Sequence, residues 1–216
     1  MEVIQNFLRI KNQISDLNPN TKLIAVSKGH GIDNIKLLID SGHLDFGENK
    51  VQEALLKWTD TLNTNKNINL HLIGGLQSNK AKDAFKIFNY IHSLDSEKLA
   101  RIFSDLEKKY SKKINYFIQV NVGDEPQKNG INLSLVSDFV RYCLKDLNLN
   151  ILGLMCIPPV NVAPDSYFKK LKKLNEDSNL KDLSMGMSED FEIAIKLGST
   201  HVRVGTSIFG QRSSQF

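Results

Sequence analysis

Apolar residues along this chain alternate between two spacings. Val3, Phe7, Ile10, Ile14 and Leu17 recur every three or four positions, which predicts an amphipathic helix from Glu2 to Leu17, ended ahead of Pro19. A run of strand-forming residues follows at once, Leu23-Ile24-Ala25-Val26-Ser27-Lys28, closing on Gly29-His30-Gly31. The pair then repeats. Helices are predicted through Ile35, Leu38 and Ile39 with Asp33 as N-cap and Gly42 as stop, over Val51 to Trp58, Ser78 to Phe88, and onward to Tyr110 behind Asp95 or Ser96. Others are predicted over Ser134 to Leu147, Asp165 to Asp177, from a Ser188 cap through Phe191 and Ile195 to Gly198, and over Ser207 to Gly210. Strands are predicted at Leu44 to Phe46, Leu70 to Ile73, Tyr90 to Leu94, Ile114 to Val122, Ile151 to Ile157, Leu183 to Gly186 and His201 to Val204.

Eight strands alternating with helices imply a parallel sheet buried on both faces. In one domain of 216 residues this predicts an α/β (β/α)8 TIM-type barrel with an extra N-terminal helix, a single domain over residues 1–216. Active sites of such barrels lie at the carboxyl ends of the strands. Lys28, Glu48 with Asn49, Gly74 to Asn79, His92 with Ser93, Asn121, Met155, Ser184, and Arg203 with Gly205 are expected to ring that mouth.

Composition narrows the class. Hydrophobic residues make up 41% of the chain, no Pro- or Ser-rich linker divides it, and apolar runs such as Ile151 to Val160 are too short to span a bilayer. A cytoplasmic protein without membrane attachment is expected. Cys143 and Cys156 lack CxxC spacing and suit a reducing compartment as buried apolar groups. The net charge of +4 is dispersed, and its densest cluster, Lys169 to Lys173, lies on a periodic helix without interleaved aromatics, which predicts a solvated face and no nucleic-acid site. His30, His43, His71, His92 and His201 have no metal-ligand spacing, so no metal is expected.

Two features carry chemistry. A lysine held at the end of a buried strand loses hydration, which lowers the pKa of its amine and frees it to attack a carbonyl; Lys28 is the candidate. The turns Gly186-Met187-Ser188-Glu189-Asp190 and Gly205-Thr206-Ser207 offer amides and hydroxyls after strands seven and eight, where barrels often bind phosphate. An imine-forming lysine facing a phosphate anchor suits pyridoxal 5'-phosphate, and equally a phosphosugar aldolase.

Longer motifs separate the two. AVSK at 25–28, DFGENKVQE at 45–53, HLIGGLQSNK at 71–80, IHSLDS at 91–96, QVN at 119–121, GLMCIP at 153–158 and LSMGMSEDFEIAIKLGSTHVRVGTSIFGQR at 183–212 strongly resemble the pyridoxal phosphate homeostasis proteins. These are single-domain relatives of the alanine racemase amino-terminal barrel, a fold type III pyridoxal-phosphate barrel. The resemblance implies that Lys28 holds the cofactor as an internal aldimine and that Asn49 lies near the ring. It places Ser184, Gly205 and Thr206 at the phosphate, with Ser188 as the competing serine contact. It also implies that Arg203 faces the pyridine nitrogen, where a permanent cation opposes ring protonation and weakens the electron sink. Lys50, where the family usually carries an aromatic residue, and the glycine-rich Gly29-His30-Gly31 are departures at the rim.

The resemblance further implies a carrier of pyridoxal phosphate, with no firm catalytic residue unless Lys28; a monomer serving pyridoxal-phosphate-dependent apoenzymes is expected. Racemisation needs two acid/base groups on opposite faces. In two-domain racemases the second is a tyrosine from a carboxyl-terminal domain, and this sequence, ending at Phe216, is expected to lack one. The alternative is a single-domain amino-acid racemase using His92, Tyr116 or water as partner acid.

Overall fold

The structure, a computed structural model, describes residues 2–211. Eight parallel strands, β1 (Lys22–Val26), β2 (Asp45–Glu48), β3 (Asn69–Leu72), β4 (Tyr90–Leu94), β5 (Asn115–Gln119), β6 (Asn150–Met155), β7 (Asp182–Ser184) and β8 (His201–Val204), close into a barrel in chain order. Closure is made where β1 pairs with β8, Leu23 opposite Val202 and Ala25 opposite Val204. The helices α1 (Glu2–Leu17), α2 (Ile32–Asp40), α3 (Val51–Thr64), α4 (Ala81–Ile87), α5 (Glu97–Tyr110), α6 (Val136–Arg141), α7 (Asp165–Asp177), α8 (Phe191–Lys196) and α9 (Thr206–Phe209) precede, connect or follow them.

Strand alternation sorts the side chains into two cores. Leu23, Ala25, Phe46, Leu70, Leu72, Val202 and Val204 face outward into one apolar layer beneath the helices, where Phe7, Ile10 and Ile14 of α1 and Trp58 of α3 are also buried. A side chain of this size contributes about 2–3 kcal/mol by leaving water. Ile24, Val26 and Ile73 face the barrel interior, since a Cβ built on Gly47 would meet all three. Lys28 follows Val26 by two residues and continues that inward set.

Several boundaries differ from the sequence reading. The second strand runs on to Glu48 instead of stopping at Phe46, because Gly47 pairs with Val26 and Glu48 with Leu72. Asp33 lies in the first turn of α2, and Gly31 occupies the N-cap. Ser188 does not cap α8; Asp190 precedes Phe191 there, and its Oδ1 accepts the Met187 amide at 2.6 Å. The predicted helix 134–147 divides into a 3-10 turn, α6 and a π-helical stretch Tyr142–Asp146. Ser96 caps α5, accepting the Leu99 amide. Cys143 and Cys156 are buried free thiols, each pushed up to about 12 by burial. No helix among the described residues is long and apolar enough to cross a membrane.

Candidate functional site

A cavity of about 350 Å³ opens at the carboxyl ends of the strands, lined by residues that include Lys28, Asn49, Ser188, Arg203, Gly205 and Thr206. Its volume falls within the usual span of small-molecule sites. Ile73, Ile157 and Met187 supply apolar wall, and His30, Glu189 and Asp190 complete the polar rim. Lys28 is held by its neighbours' backbone. The Ser27 amide donates to the Gly47 carbonyl at 3.0 Å and the Gly29 amide to Glu53 Oε1 at 2.7 Å. Gly29 has φ 72°, a left-handed turn that glycine enters without a Cβ penalty.

Beneath this turn lies a buried charge cluster that the sequence did not disclose. Lys57 Nζ donates to the Ser27 carbonyl at 2.8 Å and to Glu48 Oε1 and Glu53 Oε1 at 2.9 Å each. Glu48 Oε1 also accepts from Ser27 Oγ at 2.7 Å and Trp58 Nε1 at 2.9 Å. Glu48 therefore points outward between β2 and α3, not into the mouth. The Glu53–Lys57 spacing was visible in the sequence, but an i,i+4 pair on a helix ordinarily marks a solvated face. For Glu53, burial acts upward, yet the Gly29 amide and Lys57 outweigh it and hold the carboxyl below its usual value.

The candidate anion-binding groups of the two turns converge on Ser188. Its Oγ lies 3.3 Å from the Gly205 amide, 3.3 Å from Thr206 Oγ1 and 3.5 Å from the Ser207 amide. Ser184 is placed elsewhere. It is fully buried in the barrel interior, its Oγ accepting from Arg203 Nη1 at 2.6 Å and lying 2.8 Å from His92 Nδ1. The register explains the difference: Ser184 is the inward residue of β7 opposite His201, whereas Ser188 follows the turn at Gly186 and reaches the rim. Of the two serines, Ser188 alone lines the cavity.

Arg203 is 3% exposed, inward on β8, and its guanidinium is fixed by Ser184 and by the Cys156 carbonyl, which accepts from Nη2 at 2.9 Å. These partners are a hydroxyl and a carbonyl, not a carboxylate. Burial lowers its pKa, with Cys156 and Asp190 acting the other way. Burial also raises the Asp190 carboxyl, opposed by the Met187 amide and Arg203. Asn49 lies on the cavity wall with a buried Oδ1 that has no hydrogen-bond partner among the described residues.

Other residues expected at the mouth, and Tyr116, the alternative partner acid, lie off the cavity wall. Tyr116 faces the helical layer, where its hydroxyl donates to Glu107 at 3.0 Å and burial raises its pKa. His92 lies in the barrel interior against His71, Met155 is buried, and Asn121 pins its own loop by exchanging hydrogen bonds with the Glu125 backbone. Ile73, rather than the Gly74 to Asn79 stretch, represents β3 in the wall. Neither His92 nor Tyr116 reaches the cavity wall as a partner acid.

Residues 2–213 match the family described as alanine racemase, N-terminal domain. The pyridoxal phosphate homeostasis protein of Pasteurella multocida is 35% identical over 221 residues, covering 98% of this chain and 95% of its own. That of Aquifex aeolicus is 38% identical over 202 residues, covering 88% and 87%. This chain belongs to the pyridoxal phosphate homeostasis protein family. PipY of Synechococcus elongatus, solved with pyridoxal phosphate bound, superposes with a TM-score of 0.88 at 31% identity over 96% of this chain and 100% of PipY. Alanine racemase of Bartonella henselae shares the fold, with a TM-score of 0.77 at 16% identity over 98% of this chain and 59% of the racemase. The family thus shares its barrel with much longer enzymes.

Proposed function

We propose that this protein binds pyridoxal 5'-phosphate in the 350 Å³ cavity, holds it as an internal aldimine on Lys28, and serves intracellular pyridoxal phosphate homeostasis without robust turnover. One observation carries the reading: the same cavity wall holds an amine at Lys28, a cluster of amides and hydroxyls at Ser188, Gly205 and Thr206, and a cation at Arg203. Those groups fit the cofactor, and the unsatisfied Oδ1 of Asn49 is a further polar atom awaiting a partner. Bound there, pyridoxal phosphate supplies an aldehyde for amines and an electron-withdrawing ring.

The protein's residues divide the work. Gly205, Thr206 and Ser188 take the phosphate, Ile73, Ile157 and Met187 exclude water, and Lys28 makes the covalent attachment. Arg203, permanently charged and able only to donate, would oppose a proton on a pyridine nitrogen held beside it. The role is that of a cytoplasmic monomer which delivers cofactor to apoenzymes.

The absorbance spectrum of the parent beside Lys28→Ala, each mixed with pyridoxal phosphate and desalted, tests the reading. A visible band kept by the parent and lost by the variant is expected, with borohydride fixing a pyridoxyl mass on Lys28. No retained band in either protein overturns it, and a sugar-phosphate adduct would favour the aldolase. Sustained exchange of amino-acid α-protons into heavy water, abolished in Lys28→Ala, would replace the carrier by a racemase.

A further inference from the structure

The interior of a (β/α)8 barrel is ordinarily packed with branched apolar side chains. Here a file of polar groups crosses it instead. Arg203 Nη1 donates to Ser184 Oγ at 2.6 Å, Ser184 Oγ lies 2.8 Å from His92 Nδ1, His92 Nε2 lies 3.0 Å from His71 Nδ1, and His71 Nε2 lies 3.1 Å from Asp45 Oδ1. Ser184, His92 and His71 are fully buried. Each would cost free energy unless paired, and apolar residues of similar size would fill the space more cheaply.

The two ends fix the direction of every bond between them. A guanidinium can only donate and a carboxylate can only accept. Asp45 keeps its carboxyl below the usual pKa, since the His71 and Asn69 hydrogen bonds outweigh its burial, while burial keeps both imidazoles neutral. His71 must then carry its proton on Nε2 towards Asp45 and accept at Nδ1. His92 must donate from Nε2 and accept at Nδ1, so the Ser184 hydroxyl donates to His92 and receives Arg203. Reversing His71 would set acceptor against acceptor at Asp45, and reversing His92 would do the same between the two rings. Bonds aligned in one sense polarise one another in a low-dielectric interior.

We propose that Ser184, His92, His71 and Asp45 are positioning residues for Arg203, a one-directional hydrogen-bond chain that locks the guanidinium at the cofactor cavity and gives it a counter-charge at the opposite end of the barrel. Asp45 lies at the amino-terminal end of β2, beside a second cavity of about 220 Å³ that it lines with Lys11, Thr21 and His43. The titratable and charged groups facing the chain include Asp190 at the Arg203 end, Lys22 and His43 at the Asp45 end, and the neutral His201, with its ring edge towards His92. The effect on cofactor binding rests on the proposed function; the bond order does not.

Imidazole ¹⁵N spectra of the cofactor-free full chain at neutral pH separate the two. Nε2–H tautomers are expected at both His71 and His92, and an Nδ1–H tautomer or an imidazolium at either overturns the chain. In Ser184→Ala the His71 signals are expected to move although Ser184 does not touch His71; unmoved His71 signals would show uncoupled pairs. Should that variant fail to fold, the tautomers of the parent decide. Asp45→Ala is expected to weaken pyridoxal phosphate binding roughly threefold to tenfold, the scale of one buried hydrogen bond. Unchanged affinity in Asp45→Ala would remove the positioning role. A parent that binds no pyridoxal phosphate but shows both tautomers would refute the proposed function and leave the chain standing.

Discussion

Lys57 Nζ donates to the carbonyl oxygen of Ser27 at 2.8 Å, one residue before Lys28. The same ammonium pairs with Glu48, whose side chain is fully buried, so it both fixes the strand end and neutralises the acid beneath it. Lys57→Met should cost about 3–5 kcal/mol of stability, because Glu48 is left buried without its countercharge. Adding Glu48→Gln should restore part of that, and urea midpoints of the two single variants and the double variant form the cycle. Strictly additive losses would mean that the pair is not coupled. The folded fraction of Lys57→Met should also form the cofactor adduct more slowly, since Lys28 loses its support.

Gly74 and Asn49 approach so closely that a Cβ on Gly74 would lie 2.4 Å from the Asn49 carbonyl oxygen. Gly74→Ala must displace the backbone of Asn49 and with it the side-chain amide on the cavity wall. A stability loss of about 1–3 kcal/mol is expected for such overpacking, together with weaker pyridoxal phosphate binding by equilibrium titration. Gly31→Ala is the control, since its Cβ would meet nothing within 4 Å. Equal behaviour of the two variants would refute the argument.

Ser188 is predicted to recognise the phosphate and not the ring. Its hydroxyl sits beside the Gly205 amide and Thr206 Oγ1, and a hydrogen bond to a charged group contributes about 1.5–3 kcal/mol. Ser188→Ala should therefore weaken pyridoxal phosphate at least about tenfold while changing the affinity for pyridoxal, which lacks the phosphate, far less. The same loss for both ligands would place Ser188 elsewhere in recognition.

The hydrophobic pattern made much of this architecture legible. Helix α1 and strands β4 and β8 occupy the predicted residues, since their periods were clean. Lys28 and Arg203 were readable for the same reason, each ending or interrupting an apolar run at a strand's carboxyl end. Glu48 was not: a charged residue closing Asp45-Phe46-Gly47 looks like the end of a strand, and the lysine that allows its burial lies on the next helix. Ser184 and Ser188 flank one glycine turn, and which of them faces the cavity depends on how β7 registers against β8. The barrel-crossing chain was least legible, because Ser184 meets His92 across 92 residues of sequence and no local spacing encodes that contact.

Buried histidines make a pH prediction with a definite sign. Burial lowers His43 to about 4 and His201 to about 3, from 6.5 in an unfolded chain. Below about pH 6.5 the unfolded state takes up protons that the folded state refuses, so stability is full above that value and falls as the pH drops towards those folded values. His43 alone accounts for about 3 kcal/mol at the acid end, by 1.36 kcal/mol per unit. Asp95 and Asp190, raised by burial, act in the opposite sense nearer the carboxylate range and flatten the lower part of the curve. Urea midpoints of the cofactor-free protein should thus decline between pH 7.5 and 5. His43→Gln, which keeps a donor for the Asp45 carbonyl that His43 Nε2 meets at 2.8 Å, should show a shallower decline. A midpoint constant across that interval in the parent would mean that these rings take up protons in the folded state as they do in the unfolded chain.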